Sequence, residues 1–381
     1  MTDKMKKNNN PPLNPFLLSG YVSPAYFCDR VQETGKLISA LLNGRNITLV
    51  SPRRMGKTGL LRHAFHRIET EKIGKCFYVD LYQTDSFTSL VHKLASVVIG
   101  TLDTREEKVM KTISTVFKSL RPVFSIDPRT GEPSVSVDVQ ADFAEKSLSE
   151  IFAYMENAKM KCFVAFDEFQ KVAEYDDSLN VEALLRSYIQ HLTHVQFVFS
   201  GSQRHVLENM FSSASRPFYQ STQMMSLGCI NPDAYYAFAE EKLQKHGQLF
   251  SAESFHAAYK QLFGHTWYVQ MLLNRLYETG TGMTTDVEVE NELQQIVSDN
   301  EATYQTFLRL VTPMQRKLLK AVAIEGEVSE IQSNAFLSRH HLGAPSTVKS
   351  AAKSLVEKEL LLEENGSFSV YDRFFAFYLR R

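Results

Sequence analysis

Lys57 and Thr58 close the run SPRRMGKT (Ser51–Thr58), with the apolar stretch Ile47–Val50 before it and the helical pattern GLLRHAF after it. A cation, a hydroxyl and a glycine in that order suit the holding of a polyphosphate. Backbone N–H groups of Arg54, Met55, Gly56, Lys57 and Thr58 can wrap a β-phosphate at the positive end of the following helix. Gly56 lets the backbone come close, Lys57 reaches the β- and γ-phosphates, and the Thr58 hydroxyl can ligate magnesium. Ser51, Pro52, Arg53 and Gly59 complete the expected cradle. The pattern G-x-x-x-x-G-K-[ST] has glycine at its first position, where this chain has Ser51. Serine is small enough for the loop to close if its backbone avoids a glycine-only conformation, and the competing view is that its hydroxyl bonds the loop or a phosphate. The plain alternative is a strand, turn and helix with no ligand, and the two flanks argue against it.

A second acidic pair lies about a hundred residues on. In KCFVAFDEFQKV, Asp167 and Glu168 end a continuous apolar stretch. An aspartate at a strand tip beside the loop strand would hold magnesium through water, and the next glutamate would orient and polarise an attacking water. A surface Asp-Glu ending a strand is the bland reading. The following run, VQFVFSGSQRHV, places Ser200 and Ser202 where a polar side chain could sit between the two motifs and sense a γ-phosphate, and either serine fits. Arg204 and Arg216 come next and could neutralise transition-state charge, in cis or from a neighbouring subunit of a homo-oligomer. An exposed arginine is more often plain surface.

Elements must position these groups. Four short apolar runs, Ile47–Val50, Cys76–Leu81, Cys162–Phe166 and Gln196–Phe199, alternate with helical patterns, as parallel strands buried on both faces do. This predicts an α/β nucleotide-binding fold, a parallel sheet with crossover helices carrying the phosphate loop. Val123–Val139 alternates apolar and polar residues around DPRTGEP and predicts an inserted β-hairpin. From Asn231 to Leu310 the pattern is wholly helical. After Thr312 come a helix with a Thr-Pro start and a Gly stop, helices near Gln332–His340 and Ser346–Lys358, and a hairpin turning at Asn365-Gly366. Three helices and a wing describe a winged helix. The expected divisions are a disordered lead-in over 1–15, the ATPase domain over 16–228, a helical lid over 229–310 and the winged helix over 311–381.

The chain of 381 residues suits two or three domains, and 42 basic against 43 acidic residues argue against a wholly basic nucleic-acid coat. Four scattered cysteines with no metal spacing read as buried thiols in a reducing compartment. The polar N-terminus lacks the apolar core of a signal peptide, and no apolar run is long enough to span a bilayer. A cytoplasmic location is expected, with no membrane partner.

YFCDRVQETGKLISAL, SPRRMGKT, VAFDEFQKV, FVFSGSQ, RPFYQ and GHTWYVQ stand in the order found in archaeal-type ATPases, and the chain ends in VYDRFFAFYLRR. The sequence resembles that family, a branch of the AAA+/STAND P-loop proteins whose bacterial members share the SPRRMGKT loop. The resemblance covers nearly all of the chain from Phe16. It implies ATP and magnesium as cofactors, a nucleotide site between the α/β core and the helical lid, and Phe27 and Arg30 packed near the adenine. It also implies that Gly264, His265 and Thr266 match a G-x-P sensor turn, with Thr266 in place of the proline. The bland reading of His265 to Tyr268, Trp267 included, is aromatic helix packing.

In the winged helix, the segment from Ser346 would offer Thr347, Lys349, Ser350 and Lys353, preceded by Arg339, His340 and His341. Glu357, Glu359, Glu363 and Glu364 offset them. DNA contact and a protein-packing role both remain open. The leading expectation is a slow magnesium-dependent ATPase acting as a molecular switch on a protein client. The alternatives are an ATP-regulated DNA-binding protein and a nucleotide-binding module without turnover.

Overall fold

The computed structural model describes residues 12–102, 117–126, 133–280, 282–364 and 366–381. They form two compact units, one of Ser19–Ala234 and one of Asn14–Leu18 with Tyr235–Arg381. The first unit is built on a five-stranded parallel sheet. Its strands are β1 (Ile47–Val50), β2 (Gly74–Asp80), β5 (Lys161–Asp167), β6 (Val195–Gly201) and β7 (Gln223–Ser226), in the order β2-β5-β6-β1-β7. Successive side chains along a strand point to opposite faces. Phe163 and Ala165 therefore pack with Leu37, Leu60 and Phe65 on one face, and Val164 and Phe166 pack with Leu94, Ile151 and Phe199 on the other. Both faces are covered, which is why β1, β2, β5 and β6 read as mostly apolar runs.

Helices α1 (Val31–Leu42) and α2 (Lys57–Thr70) cover the first face, and α3 (Phe87–Leu102), α4 (Ala144–Glu156), α5 (Ser178–Ile189) and α6 (Arg204–Ser212) contribute to the core of the other. The inserted hairpin pairs β3 (Arg121–Ile126) antiparallel with β4 (Pro133–Asp138). The expected turn DPRTGEP falls largely on residues 127–132, which lie outside the described residues.

The order of strands corrects one expectation. The strand carrying Asp167 does not lie beside the loop strand, because β6 stands between them. All seven residues of β6 are buried, which suits a central position. The edge strand β7 has no counterpart in the sequence reading: its four residues are partly exposed and carry no apolar run.

The second unit contains α7 (Pro232–Gln244, from Tyr235 on), α8 (Ala252–Gln261), α9 (Thr266–Thr279), α10 (Asp286–Asp299) and α11 (Glu301–Arg309). The expectation of an all-helical segment is corrected here, since β8 (Leu249–Phe250) pairs in parallel with β9 (Met283–Thr284). A pair of two-residue strands is too short to leave a period in the sequence. The winged helix follows as α12 (Pro313–Glu325), α13 (Asn334–Arg339), α14 (Pro345–Glu357), the antiparallel β10 (Leu361–Glu364) and β11 (Ser367–Val370), and α15 (Arg373–Arg380). Thr312 closes a capping box on α12, and Gly326 ends it at φ 82°. Asn365 of the expected hairpin turn lies outside the described residues.

Residues 1–11 of the expected disordered lead-in are likewise outside the described residues. Asn14, by contrast, is fixed in place: its side chain donates to Asn274 O at 2.8 Å, and Phe16 is fully buried against Phe238 and Tyr277. Cys28, Cys76 and Cys162 are buried, but Cys229 is exposed, which corrects the reading of four buried thiols. Among the described residues no helix is long and apolar enough to cross a membrane.

Candidate active site

The loop between β1 and α2 is where the sequence-derived residues meet. Ser51 is buried and is not among the residues with positive φ, so the first loop position does not need glycine's freedom. Arg54 and Gly56 do take left-handed conformations, at φ 64° and 95°. Gly56 is the N-cap of α2 and, having no side chain, supplies no acceptor to the first-turn N–H groups. Below the loop, the buried Arg30 donates to Met55 O at 3.2 Å and pairs with Glu33 at 3.0 Å. Arg30 thus supports the loop from beneath.

Lys57 is folded back into this cradle. Its Nζ donates to Ser51 O at 2.9 Å, Pro52 O at 3.0 Å and Ser51 Oγ at 3.2 Å. Burial lowers its pKa to about 8, against the attraction of Glu168 and Asp167 and with some help from Arg53. The Ser51 hydroxyl therefore does more than stand in for glycine, since it is one of three acceptors that hold the lysine.

Asp167 is 4% exposed and gathers donors on both oxygens. Thr58 Oγ1 donates to its Oδ2 at 2.9 Å, and the Tyr78 phenol donates to the same oxygen. The Ser200 hydroxyl and, at 3.1 Å, the Glu168 N–H donate to Oδ1. Glu168 sits in a left-handed conformation at φ 55°, which turns its side chain off the strand line. Its Oε2 accepts from Gln170 and, at 3.0 Å, from Ser202, and Ser202 Oγ in turn accepts from Arg53 Nε at 3.3 Å. The two serines thus differ: Ser200 serves the aspartate and Ser202 the glutamate.

Other expected residues lie elsewhere. Arg216 pairs with Glu182, a fully buried carboxyl whose pKa burial pushes up to about 7 despite the guanidinium, and Arg204 pairs with Glu208 at 2.7 Å on its own helix. Phe27 stacks on His63 at 4.4 Å, and a Cβ on Gly59 would come within 3.2 Å of its ring. That close approach is what a glycine at 59 permits. In the second unit Gly264 takes φ 62°, His265 packs edge-on to Tyr268, and Trp267 and Tyr268 both meet Phe374. These are packing contacts of an aromatic core.

Tyr78, Gln170 and Gly201 were not singled out from the sequence. A Cβ on Gly201 would stand 1.9 Å from Gln170 Oε1, so the glycine makes room for the amide that holds Glu168. A glycine ending an apolar strand was the available signal for a close approach. Nothing in the sequence marks Tyr78 or Gln170.

The model of an ATPase domain found predominantly in Archaea matches residues 27–272, and that of a C-terminal winged helix domain matches residues 302–381. None of the curated proteins matches the chain. Among solved structures, the Walker-type ATPase PABY2304 of Pyrococcus abyssi superposes with a TM-score of 0.65 at 18% identity, over 96% of this chain and all of that one. The Aeropyrum pernix Orc1 protein, solved in complex with DNA, gives 0.52 at 12% identity over 96% of each chain. The Orc2 protein of the same organism, solved with ADPNP and ADP, gives 0.52 at 15%, over 92% of this chain and 91% of that one. At these identities the likeness is one of fold. The family match covers most of the chain, and the protein belongs to the archaeal-type ATPase family, a P-loop ATPase fold with a winged helix domain at its C-terminal end.

Proposed function

We propose that the protein binds ATP with magnesium in the loop Ser51–Thr58 and hydrolyses it slowly, as a nucleotide-controlled switch that governs how the winged helix is presented to a protein client. The observation that carries this reading is the gathering of Lys57, Thr58, Asp167, Glu168, Ser200 and Ser202 around one loop. The N–H groups at the start of α2 would receive phosphate oxygens. Lys57 would exchange the carbonyls of Ser51 and Pro52 for the β- and γ-phosphates.

Thr58 Oγ1 and Asp167 Oδ2 are hard oxygens 2.9 Å apart, a donor pair that fits magnesium and would hold it. Bound there, the ion would neutralise charge on the phosphate oxygens. Ser200 orients Asp167 from its other oxygen. Both donors to Glu168 land on Oε2, so Oε1 is the oxygen left to accept a hydrogen bond from the attacking water. Ser202 links that carboxylate to Arg53 of the loop, so the water-orienting group and the phosphate cradle share one hydrogen-bonded path. Arg204 and Arg216 are both paired with carboxylates, which supports a slow rate until an arginine is released or supplied by another subunit.

A DNA-binding regulator is the second reading. It is favoured by the exposed Thr347, Lys349, Ser350 and Lys353 of α14. A non-turnover module fits less well, because it has no use for the doubly held Glu168. Phosphate release by the purified protein, with and without duplex DNA, tests all three. Lys57→Ala should abolish ATP binding, and Glu168→Gln should keep binding while release falls about 100-fold or more. Wild-type turnover by Glu168→Gln would remove the water-orienting role. Strong stimulation by DNA would favour the regulator.

A further inference from the structure

Asp167 receives a donor that the phosphate-loop chemistry does not call for. Tyr78 lies on β2, directly opposite Ala165 of β5, two residues before Asp167 and therefore on the same face of the sheet. Alanine leaves space on that face, and the tyrosine leans across it to place its phenol on Asp167 Oδ2. This is the same oxygen that accepts from Thr58. The Arg62 guanidinium lies 3.7 Å from the centre of the Tyr78 ring. Arg62 follows Thr58 by one helical turn on α2, so clamp and hydroxyl descend from one helix face.

We propose that Tyr78 is a positioning residue for the metal-holding carboxylate: clamped by Arg62, it fixes Asp167 Oδ2 against Thr58 before magnesium arrives. The inference rests on the nucleotide reading given above. A tyrosine needed only for packing could be phenylalanine, since the ring alone fills the space and meets Arg62. The hydroxyl is what reaches the carboxylate. Such outer supports set the orientation of metal-binding groups and have large effects on metal affinity.

The test is binding of a fluorescent ATP analogue to the full chain, titrated with magnesium and repeated in chelator, with no turnover measured. Tyr78→Phe should raise the magnesium concentration at half-effect about tenfold, with unchanged affinity in chelator and an unchanged melting temperature. Arg62→Leu, on the exposed side of the ring, should move the midpoint the same way by a smaller factor. A Tyr78→Phe midpoint equal to that of the wild type overturns the proposal, as does a loss of stability with no change in midpoint. If the wild type binds no analogue under either condition, the nucleotide reading itself fails, which is a different result.

Discussion

Lys57 shows how much a single side chain's setting controls. It is 6% exposed, held by three loop oxygens, and its pKa is lowered to about 8 because burial outweighs two nearby carboxylates. Below about pH 8 the lysine is charged whether the chain is folded or unfolded, so the cost of burying the charge is fully present. Between about 8 and the ordinary value only the unfolded chain keeps the proton, so this group's contribution to stability improves as pH rises across that window. A polyphosphate reverses the preference, because it stabilises the charged lysine. Binding should then take up a proton above about pH 8, and affinity for an ATP analogue should fall by up to about tenfold per pH unit beyond that point. Titrations from about pH 7 to about pH 9.5 measure this. A flat profile would mean that Lys57 does not meet the phosphates. The sequence located this lysine through the spacing SPRRMGKT, but not its resting partners, which depend on loop carbonyls that carry no residue signature. Ser51 is similar: its small size and a hydroxyl bond to the loop were both readable as alternatives, while Lys57 as the partner of that hydroxyl was not.

At the scale of elements, the end of β6 and the 3-10 segment after β5 form a single device. Phe169–Glu174 is a 3-10 segment entered through the left-handed Glu168, and it brings Gln170 back onto that carboxylate. Gly201 at the end of β6 leaves the space the amide occupies. Gly201→Ala would place a methyl group on the far end of a flexible side chain, so Gln170 should move aside and release Glu168. We expect ATP binding near the wild-type level, and turnover lower by roughly 10- to 100-fold, the scale of a misplaced catalytic group. Measuring the nucleotide dissociation constant and kcat on the same preparation checks it. Equal loss of both would point to a collapsed loop instead. Strands β1, β2, β5 and β6 were readable because burial on both faces makes each one mostly apolar. The edge strand β7 and the pair β8 and β9 were not, since half-exposed or two-residue strands obey no period. The place of β6 between β1 and β5 was foreshadowed only by Ser200 and Ser202, expected between the two motifs, because local patterns do not encode strand order.

Across the whole molecule the near balance of 42 basic and 43 acidic residues leaves little long-range attraction for nucleic acid, so any DNA contact must come from a local face. The winged helix offers one. Val348, Ala351, Ala352 and Leu355 bury one side of α14, and Lys349 and Lys353 are exposed. The neighbouring charges subtract from that face: Arg339 and His340 are both drawn to Glu325, and Glu357, Glu359 and Glu363 are exposed. Two lysines meeting about two phosphates should give a plot of log affinity against log salt with a slope of about −2, and affinity for duplex DNA should fall only about tenfold between roughly 50 and 200 mM salt. Lys349→Glu with Lys353→Glu should abolish even that binding while leaving nucleotide affinity in the other unit unchanged. Fluorescence anisotropy of a labelled duplex over a salt series reads both. A slope steeper than about −5 would require a larger basic surface than α14 presents, and would make DNA, rather than a protein client, the partner of this domain.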